Sequence, residues 1–119
     1  MVLFSSGSPS LKPELKDSVY NQGIPTGIDI FATDLEPTES PTTFRIYACF
    51  DPGGILTVTR TVGTTTVTEN LNGGANLAAN ASYFFDIAVH YGEKINLQYS
   101  GVGATCISLK VWEVKGVIN

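Results

Sequence analysis

Strict alternation of bulky apolar and other residues is the feature that most constrains the fold of this chain. It is clearest in residues 44–50 and 83–89, where every second position carries an inward-type apolar side chain. A period of two places successive side chains on opposite faces of a β-strand, with one face buried. We find no segment with the period of an amphipathic helix, about 3.6 residues. The pattern therefore predicts an all-β protein.

Turns rich in glycine, proline and asparagine separate the alternating segments. Residues 51–54, Asp-Pro-Gly-Gly, and residues 72–74, Asn-Gly-Gly, have strong turn sequences. About seven short strands separated in this way predict an antiparallel β-sandwich with jelly-roll or immunoglobulin-like Greek-key connections. A small closed barrel would show the same alternation and stays an alternative.

One phase of the alternation is predicted to form the core between the two sheets. Its members are Ile28, Ile30, Ala32, Phe44, Ile46, Ala48, Phe50, Leu56, Val58, Val62, Tyr83, Phe85, Ile87, Val89, Ile95, Leu97, Tyr99, Ile107, Leu109 and Val111. Threonine dominates the opposite phase around residues 57–68, as expected of a face in contact with water.

The first 23 residues lack this alternation. They are rich in Ser, Gly, Pro and Lys, and Pro9 and Pro13 preclude a long helix. We predict an extended N-terminal arm over residues 1–23, followed by a single sandwich domain over residues 24–119. The arm could fold back on its own domain or lie across a neighbouring copy, and we favour the second. Its few apolar side chains, Leu3, Phe4, Leu11 and Leu15, would then contact the neighbouring subunit.

The outward phase of the strands contains four large aromatic residues, namely Phe31, Tyr47, Phe84 and Trp112. Exposed apolar surface of this extent marks either a protein interface or a ligand platform. Aromatic side chains on a sheet face can stack on sugar rings. Few charges lie nearby to orient a sugar, so we favour an interface over a carbohydrate platform.

Charge is sparse along the whole chain. Charged residues make up 15% of the sequence, and the net charge is −4. A nucleic-acid-binding protein needs clustered Lys and Arg, whereas the seven here are scattered. No run approaches the roughly 20 apolar residues that span a bilayer. We therefore expect neither nucleic acid nor a membrane as a partner.

The two cysteines, Cys49 and Cys106, are too few for a disulfide framework and lack metal-ligand spacing. We expect them to be free and buried, as free cysteines usually are. Both fall on predicted strands in what we interpret as the same phase. A cross-strand disulfide between them is the alternative, and it would indicate an oxidising compartment or a thermophilic host.

The sequence offers no catalytic or cofactor-binding constellation. His90 is the only histidine, and no serine lies in a Gly-x-Ser-x-Gly motif. Acidic residues gather at residues 34–39 and at Asp51, but without the ligand spacing of a calcium loop. We therefore expect no catalytic residue, no cofactor and no metal site, and we predict that the protein is not an enzyme.

Residues 56–113 include three characteristic runs: Thr-Val-Thr-Glu-Asn-Leu-Asn-Gly-Gly, Leu-Ala-Ala-Asn-Ala-Ser-Tyr-Phe-Phe-Asp-Ile-Ala-Val and Ile-Asn-Leu-Gln-Tyr-Ser. This half of the chain resembles small β-sandwich virion structural proteins, the capsid decoration and minor capsid proteins of tailed phages and of viruses of thermophiles or archaea. The resemblance implies a sandwich that sits on a capsid lattice, as a homo-oligomer with a trimer favoured. It also implies an arm that reaches a neighbour, and synthesis in the host cytoplasm before incorporation into the virion.

Two functional hypotheses follow from these patterns. The first is a viral structural protein, a decoration or minor capsid subunit that stabilises a shell through contacts with other virion proteins. The alternative is an extracellular module, either a carbohydrate-binding domain or a pilin-like filament subunit.

Overall fold

The computed structural model describes residues 12–115, which form two β-sheets. In chain order the strands are β1 (Lys12–Gly23), β2 (Thr42–Asp51), β3 (Leu56–Val62), β4 (Thr65–Asn70), β5 (Tyr83–Val89), β6 (Lys94–Tyr99) and β7 (Thr105–Lys115). A 3-10 turn, Asn72–Gly74, follows β4. Over this described range, no helix has the length and apolar character needed to cross a membrane.

The strands pair antiparallel in two sheets, with the orders β1-β7-β2-β5 and β4-β3-β6. Residues 24–35 run along the free edge of β6, where the backbone N–H of Ile30 donates to Leu97 (2.8 Å) and Leu35 bridges Ile95. With this segment in place of a strand, every connection except the β3–β4 hairpin crosses between the sheets. The predicted β-sandwich is therefore confirmed, and its strand order is that of a jelly roll.

The predicted inward phase forms the core in the central strands. The buried positions from that prediction are Phe44, Ile46, Ala48, Phe50, Leu56, Val58, Ile87, Val89, Ile95, Leu97, Tyr99, Leu109 and Val111. Ile30, Tyr83 and Phe85 pack against this cluster and are partly buried. Each fully buried apolar side chain contributes about 1.5–3 kcal/mol relative to exposure, so this cluster is the main source of stability.

Within residues 28–33, which form no regular strand, the predicted inward phase holds for Ile30 but is wrong for Ile28 and Ala32. Ile28 is exposed, whereas Phe31, predicted to face outward, is only 3% exposed. The chain turns at Gly27, whose φ of +65° favours glycine, and then follows the edge of β6 irregularly. Asn96 holds Phe31 there, because the side-chain amide of Asn96 forms hydrogen bonds with both the backbone N–H and the backbone C=O of Phe31.

Two further core predictions are wrong at strand ends. Val62, at the end of β3, is exposed. In β7 the register against β2 shifts, so that Phe50 lies opposite Cys106 and Cys49 lies opposite Ser108. Ile107 is the extra residue of this bulge, and Cys106 occupies the core position that was predicted for it.

The predicted boundary between arm and domain also requires correction. Residues 12–23 are extended, as expected of an arm, but they pair with β7 from Lys12–Lys115 to Gly23–Thr105 and so belong to the sandwich. Alternation in this strand is obscured by Pro13 and by a bulge at Lys16, between Leu15 and Asp17. The rest of the predicted arm, including Leu3, Phe4 and Leu11, lies outside the described residues.

Candidate interaction face

The outer face of the β1-β7-β2-β5 sheet carries ordered rows of side chains that run across the strands. The register places one row at Leu15, Trp112, Arg45 and Asp86. Directly opposed residues in antiparallel strands point to the same face, with Cβ atoms about 4.5–5.5 Å apart. Half of this row is apolar, and its other half is an ion pair.

Arg45 and Asp86 form a two-pronged ion pair at one side of this face. The Nε and Nη2 atoms of Arg45 donate to the two carboxylate oxygens of Asp86 at 2.9 and 3.0 Å. These hydrogen bonds hold the pKa of Asp86 below its ordinary value and raise the pKa of Arg45. The two-pronged pairing offsets part of the cost of desolvating both charges if this part of the sheet is covered.

The second row, at Ser18, Lys110, Tyr47 and Phe84, contains the aromatic centre of the face. The rings of Tyr47 and Phe84 pack with centroids 5.0 Å apart at a tilt of 47°. The Tyr47 hydroxyl shares a hydrogen bond of 2.8 Å with Ser82. Phe84 is 64% exposed, an unusual environment for a phenyl ring without a polar atom.

A third row extends the face toward the edge of the sheet through Tyr20, Ser108 and Cys49. Tyr20 is 71% exposed, and the Lys110 ammonium lies 6.0 Å from the centre of its ring. This cation–π contact gives Lys110 a partner on the face itself.

Together these rows surround an open depression of about 630 Å³. It is lined by Tyr20, Asn21, Tyr47, Phe84, Ile107, Ser108, Lys110 and Trp112. A smaller depression of about 370 Å³ continues from Phe84 to the Arg45–Asp86 pair. We refer to the surface made by the three rows as the aromatic face.

The structure brings four of the predicted interface residues together on the aromatic face. Leu15, Tyr47, Phe84 and Trp112 all lie there, whereas Phe31 is in the core of the sandwich. Tyr20 and Ile107 were missed. Tyr20 was assigned to the arm because a bulge interrupts the alternation of β1, and Ile107 was assigned to the core because a bulge reverses its phase.

Both cysteines are free and buried, as the sequence led us to expect. The alternative disulfide between Cys49 and Cys106 is not formed. The bulge in β7 places Cys106 in the core opposite Phe50, whereas Cys49 lies on the outer face opposite Ser108. Cys106 belongs to the core, where burial raises the pKa of its thiol to about 12. At neutral pH this thiol is therefore protonated and a poor nucleophile.

Two of the acidic residues considered as calcium ligands, Asp34 and Asp51, occupy different structural settings. Asp34 accepts a hydrogen bond from the Asn96 amide at 2.8 Å, while Asp51 ends β2. His90 is exposed in the turn after β5, and its N–H donates to Glu93. Within residues 12–115, no three His, Cys, Asp or Glu side chains gather into a set that could hold a metal ion.

Comparison with known proteins gives one structural likeness. No protein-family model matches the chain, and no curated protein matches its sequence significantly. Among solved structures, it is similar to a chain of infectious bursal disease virus, Gx strain, with a TM-score of 0.35 and 16% sequence identity. The likeness covers 90% of this chain and 32% of the viral chain.

Proposed function

We propose that the protein is a structural subunit of a virus particle, a capsid decoration or minor capsid subunit that binds its neighbours through the aromatic face. The observation that carries the proposal is the aromatic face of the four-stranded sheet, with its two mostly exposed rings. Phe84 and Tyr20 leave most of their surface in contact with water. Exposed rings do not stabilise an isolated sandwich, whereas burying them against a partner would contribute favourable free energy to binding.

The composition of the aromatic face suits a protein partner. Tyr, Trp and Phe are enriched at the centres of interfaces, where they supply most of the binding energy. Arg45 is paired with Asp86, and Lys110 lies over the Tyr20 ring. A partner could therefore cover this face without leaving either cation unpaired, which limits the cost of desolvation.

The viral part of the proposal rests on two separate lines of support. One is the resemblance of residues 56–113 to small virion sandwich proteins. The other is the jelly-roll strand order, an architecture used by viral capsid proteins and also by lectins. Because fold alone does not fix function, the second line is an analogy. Location in the virion and a homo-oligomeric state, with a trimer favoured, belong to the same proposal.

A double variant, Tyr20→Ser with Phe84→Ser, tests the role of the aromatic face. Tyr91→Ser is the matched control, because Tyr91 is equally exposed but lies in the turn after β5. Light scattering after size exclusion should show smaller particles for the double variant and no change for the control. Circular dichroism should show the same β-content for all three proteins.

The same proteins should also be tested for retention on insoluble polysaccharides. If the double variant keeps its mass and loses retention, the protein is a carbohydrate-binding module and the proposal is wrong. If mass and retention are both unchanged, the aromatic face contacts neither subunits nor sugars, and the proposal fails as well.

A further inference from the structure

Strand β4 (Thr65–Asn70) is an open sheet edge, and all six of its residues are exposed. Its register against β3 is unbroken from Thr57–Asn70 to Val62–Thr65, so no bulge interrupts it. It contains neither Pro nor Lys and is rich in β-branched residues, which favour strands. An edge strand with these properties is a template for pairing with another strand.

The other sheet edges carry protective features that β4 lacks. Strand β1 begins with Lys12 and Pro13 and has a bulge at Lys16. The edge of β6 is covered by residues 24–35. At β5, the Ala88 carbonyl accepts a hydrogen bond of 2.6 Å from Arg60. Bulges, lysines, prolines and covering segments are usual devices against edge pairing, and β4 has none of them.

The charged residue of β4 is already paired within the subunit. Arg60, which lies on β3, contacts the Glu69 carboxylate at 2.8 Å and the Glu93 carboxylate at 3.1 Å. Glu69 is the one charged residue of the strand. Lys at an edge strand opposes pairing, whereas a carboxylate held by a neighbouring guanidinium leaves the backbone of the edge accessible.

We propose that two copies of the chain associate by antiparallel pairing of their β4 strands about a twofold axis. The contact would join two three-stranded sheets into one continuous sheet of six strands. A second copy is the occupant that the sequence of β4 favours, because antiparallel pairing of a strand with itself forms a closed, isologous contact. This surface lies on the other sheet from the aromatic face and includes none of its residues.

When the two β4 strands pair with Val67 on the twofold axis, the side chains opposed across the contact are complementary. Val67 then meets Val67 of the second copy, Thr66 lies opposite Thr68, and Thr65 lies opposite Glu69. Threonine pairs across strands form favourable contacts, and no like charges oppose each other. The two Glu69 side chains would be four positions apart, about 13 Å at the rise of an antiparallel strand.

Apolar side chains next to this edge would lose water on pairing. Val67 is 57% exposed and Val62, on the neighbouring strand, is 55% exposed. A shift of the centre to Thr68 would instead place Val67 opposite Glu69, which buries apolar surface less well. The contact is small compared with the roughly 1,200 Å² of a stable interface, so the dimer should be weak in dilute solution and favoured at high local concentration.

Disulfide trapping tests the pairing and its register. In Val67→Cys, the two introduced thiols would lie across the twofold axis at a separation that a disulfide spans. Mild oxidation should convert this variant to a covalent dimer at least tenfold faster than Val102→Cys. Val102 is a matched control because it is still more exposed but lies in the turn before β7. The native cysteines are buried and should not contribute.

A second variant tests the contact without a covalent trap. Thr66→Lys with Thr68→Lys adds like charges along the proposed seam and should abolish the noncovalent dimer seen by sedimentation at high protein concentration. Val102→Lys should not. Equal rates of disulfide formation for the two cysteine variants, or an unchanged dimer in the lysine variant, would overturn the proposal. Tyr20→Ser with Phe84→Ser should leave Val67→Cys trapping unchanged, which separates this contact from the aromatic face.

Discussion

Glu113 in β7 accepts two hydrogen bonds from Thr38, one from the backbone N–H at 2.8 Å and one from the hydroxyl at 2.9 Å. Its side chain is completely buried, and the ammonium of Lys16 in β1 lies 3.4 Å from the same carboxylate. This single side chain therefore fastens both the loop before β2 and the edge strand β1 to the centre of the sheet.

Glu113→Ala should destabilise the fold by roughly 3 kcal/mol, because it leaves the Thr38 donors and the Lys16 charge without their acceptor. The free energy of unfolding from urea titrations measures the loss. Glu36→Ala is a suitable control, since Glu36 is exposed in the same loop and should change stability little. Equal stability of the two variants would show that the buried carboxylate does not anchor the loop.

Glu113 should also make stability sensitive to acid. Burial alone would raise the pKa of its carboxyl, but hydrogen bonds from Thr38 and the charge of Lys16 outweigh it, so the pKa lies below its ordinary value of 4.5. A lowered pKa in the folded state gives stability that is present above the unfolded pKa and is lost as pH falls through the folded pKa. Stability of the wild type should decline below about pH 4.5, more steeply than that of Glu113→Gln. Parallel curves for the two proteins would contradict this assignment.

Asn96 should anchor residues 24–35 to β6. Its Oδ1 accepts a hydrogen bond from the Phe31 N–H at 3.0 Å, and its Nδ2 donates to the Phe31 carbonyl at 2.9 Å. This side chain therefore satisfies the two backbone groups that a neighbouring strand would otherwise pair. Asn96→Ala leaves two buried backbone groups unsatisfied, at a cost of about 1–3 kcal/mol each before relaxation. The segment should then become the first site of limited proteolysis. Gln98→Ala, which removes a bond to exposed Asp29, is the control.

The same pair shows which parts of the fold were accessible from sequence. The inward and outward positions of β2 and β5 were predicted correctly because their shared register contains no bulge. Every second residue in the sequence therefore points to the same face of the sheet. Phe31 was misplaced because its backbone is satisfied by a side chain 65 positions away, and local periodicity carries no signal of that contact. The bulge at Lys16 hid β1 in a similar way.

The aromatic face was partly accessible for the same reason. Tyr47, Phe84 and Trp112 were assigned to the outward phase correctly, but their proximity depends on the strand order β7-β2-β5, which the sequence pattern does not specify. Tyr20 joins them only through the pairing of β1 with β7. Long-range register, rather than local propensity, therefore turns separate aromatic residues into one surface.

Two phenylalanines on neighbouring strands should differ sharply in their contribution to stability. Phe44→Ala removes a completely buried ring and should cost about 3–5 kcal/mol, whereas Phe84→Ala removes a mostly exposed ring and should cost much less. Urea titration of dilute, monomeric protein measures both values without a contribution from association. Similar losses would mean that Phe84 packs within the subunit rather than on its surface.

Removal of β1 should destabilise the sandwich, although the sequence pattern predicted an arm outside the domain. A chain that begins at Ile24 loses the whole ladder against β7, the packing of Val19 on the core and the Lys16 partner of Glu113. Backbone groups of β7 that are paired in the intact sheet would be left at an open edge. We expect a markedly lower melting temperature, and binding of a hydrophobic dye to the uncovered core. A chain that begins at Lys12 retains every described contact of β1 and is the control. If the chain that begins at Ile24 melts at the same temperature as this control, β1 contributes no stability and residues 12–23 behave as the arm that the sequence first indicated.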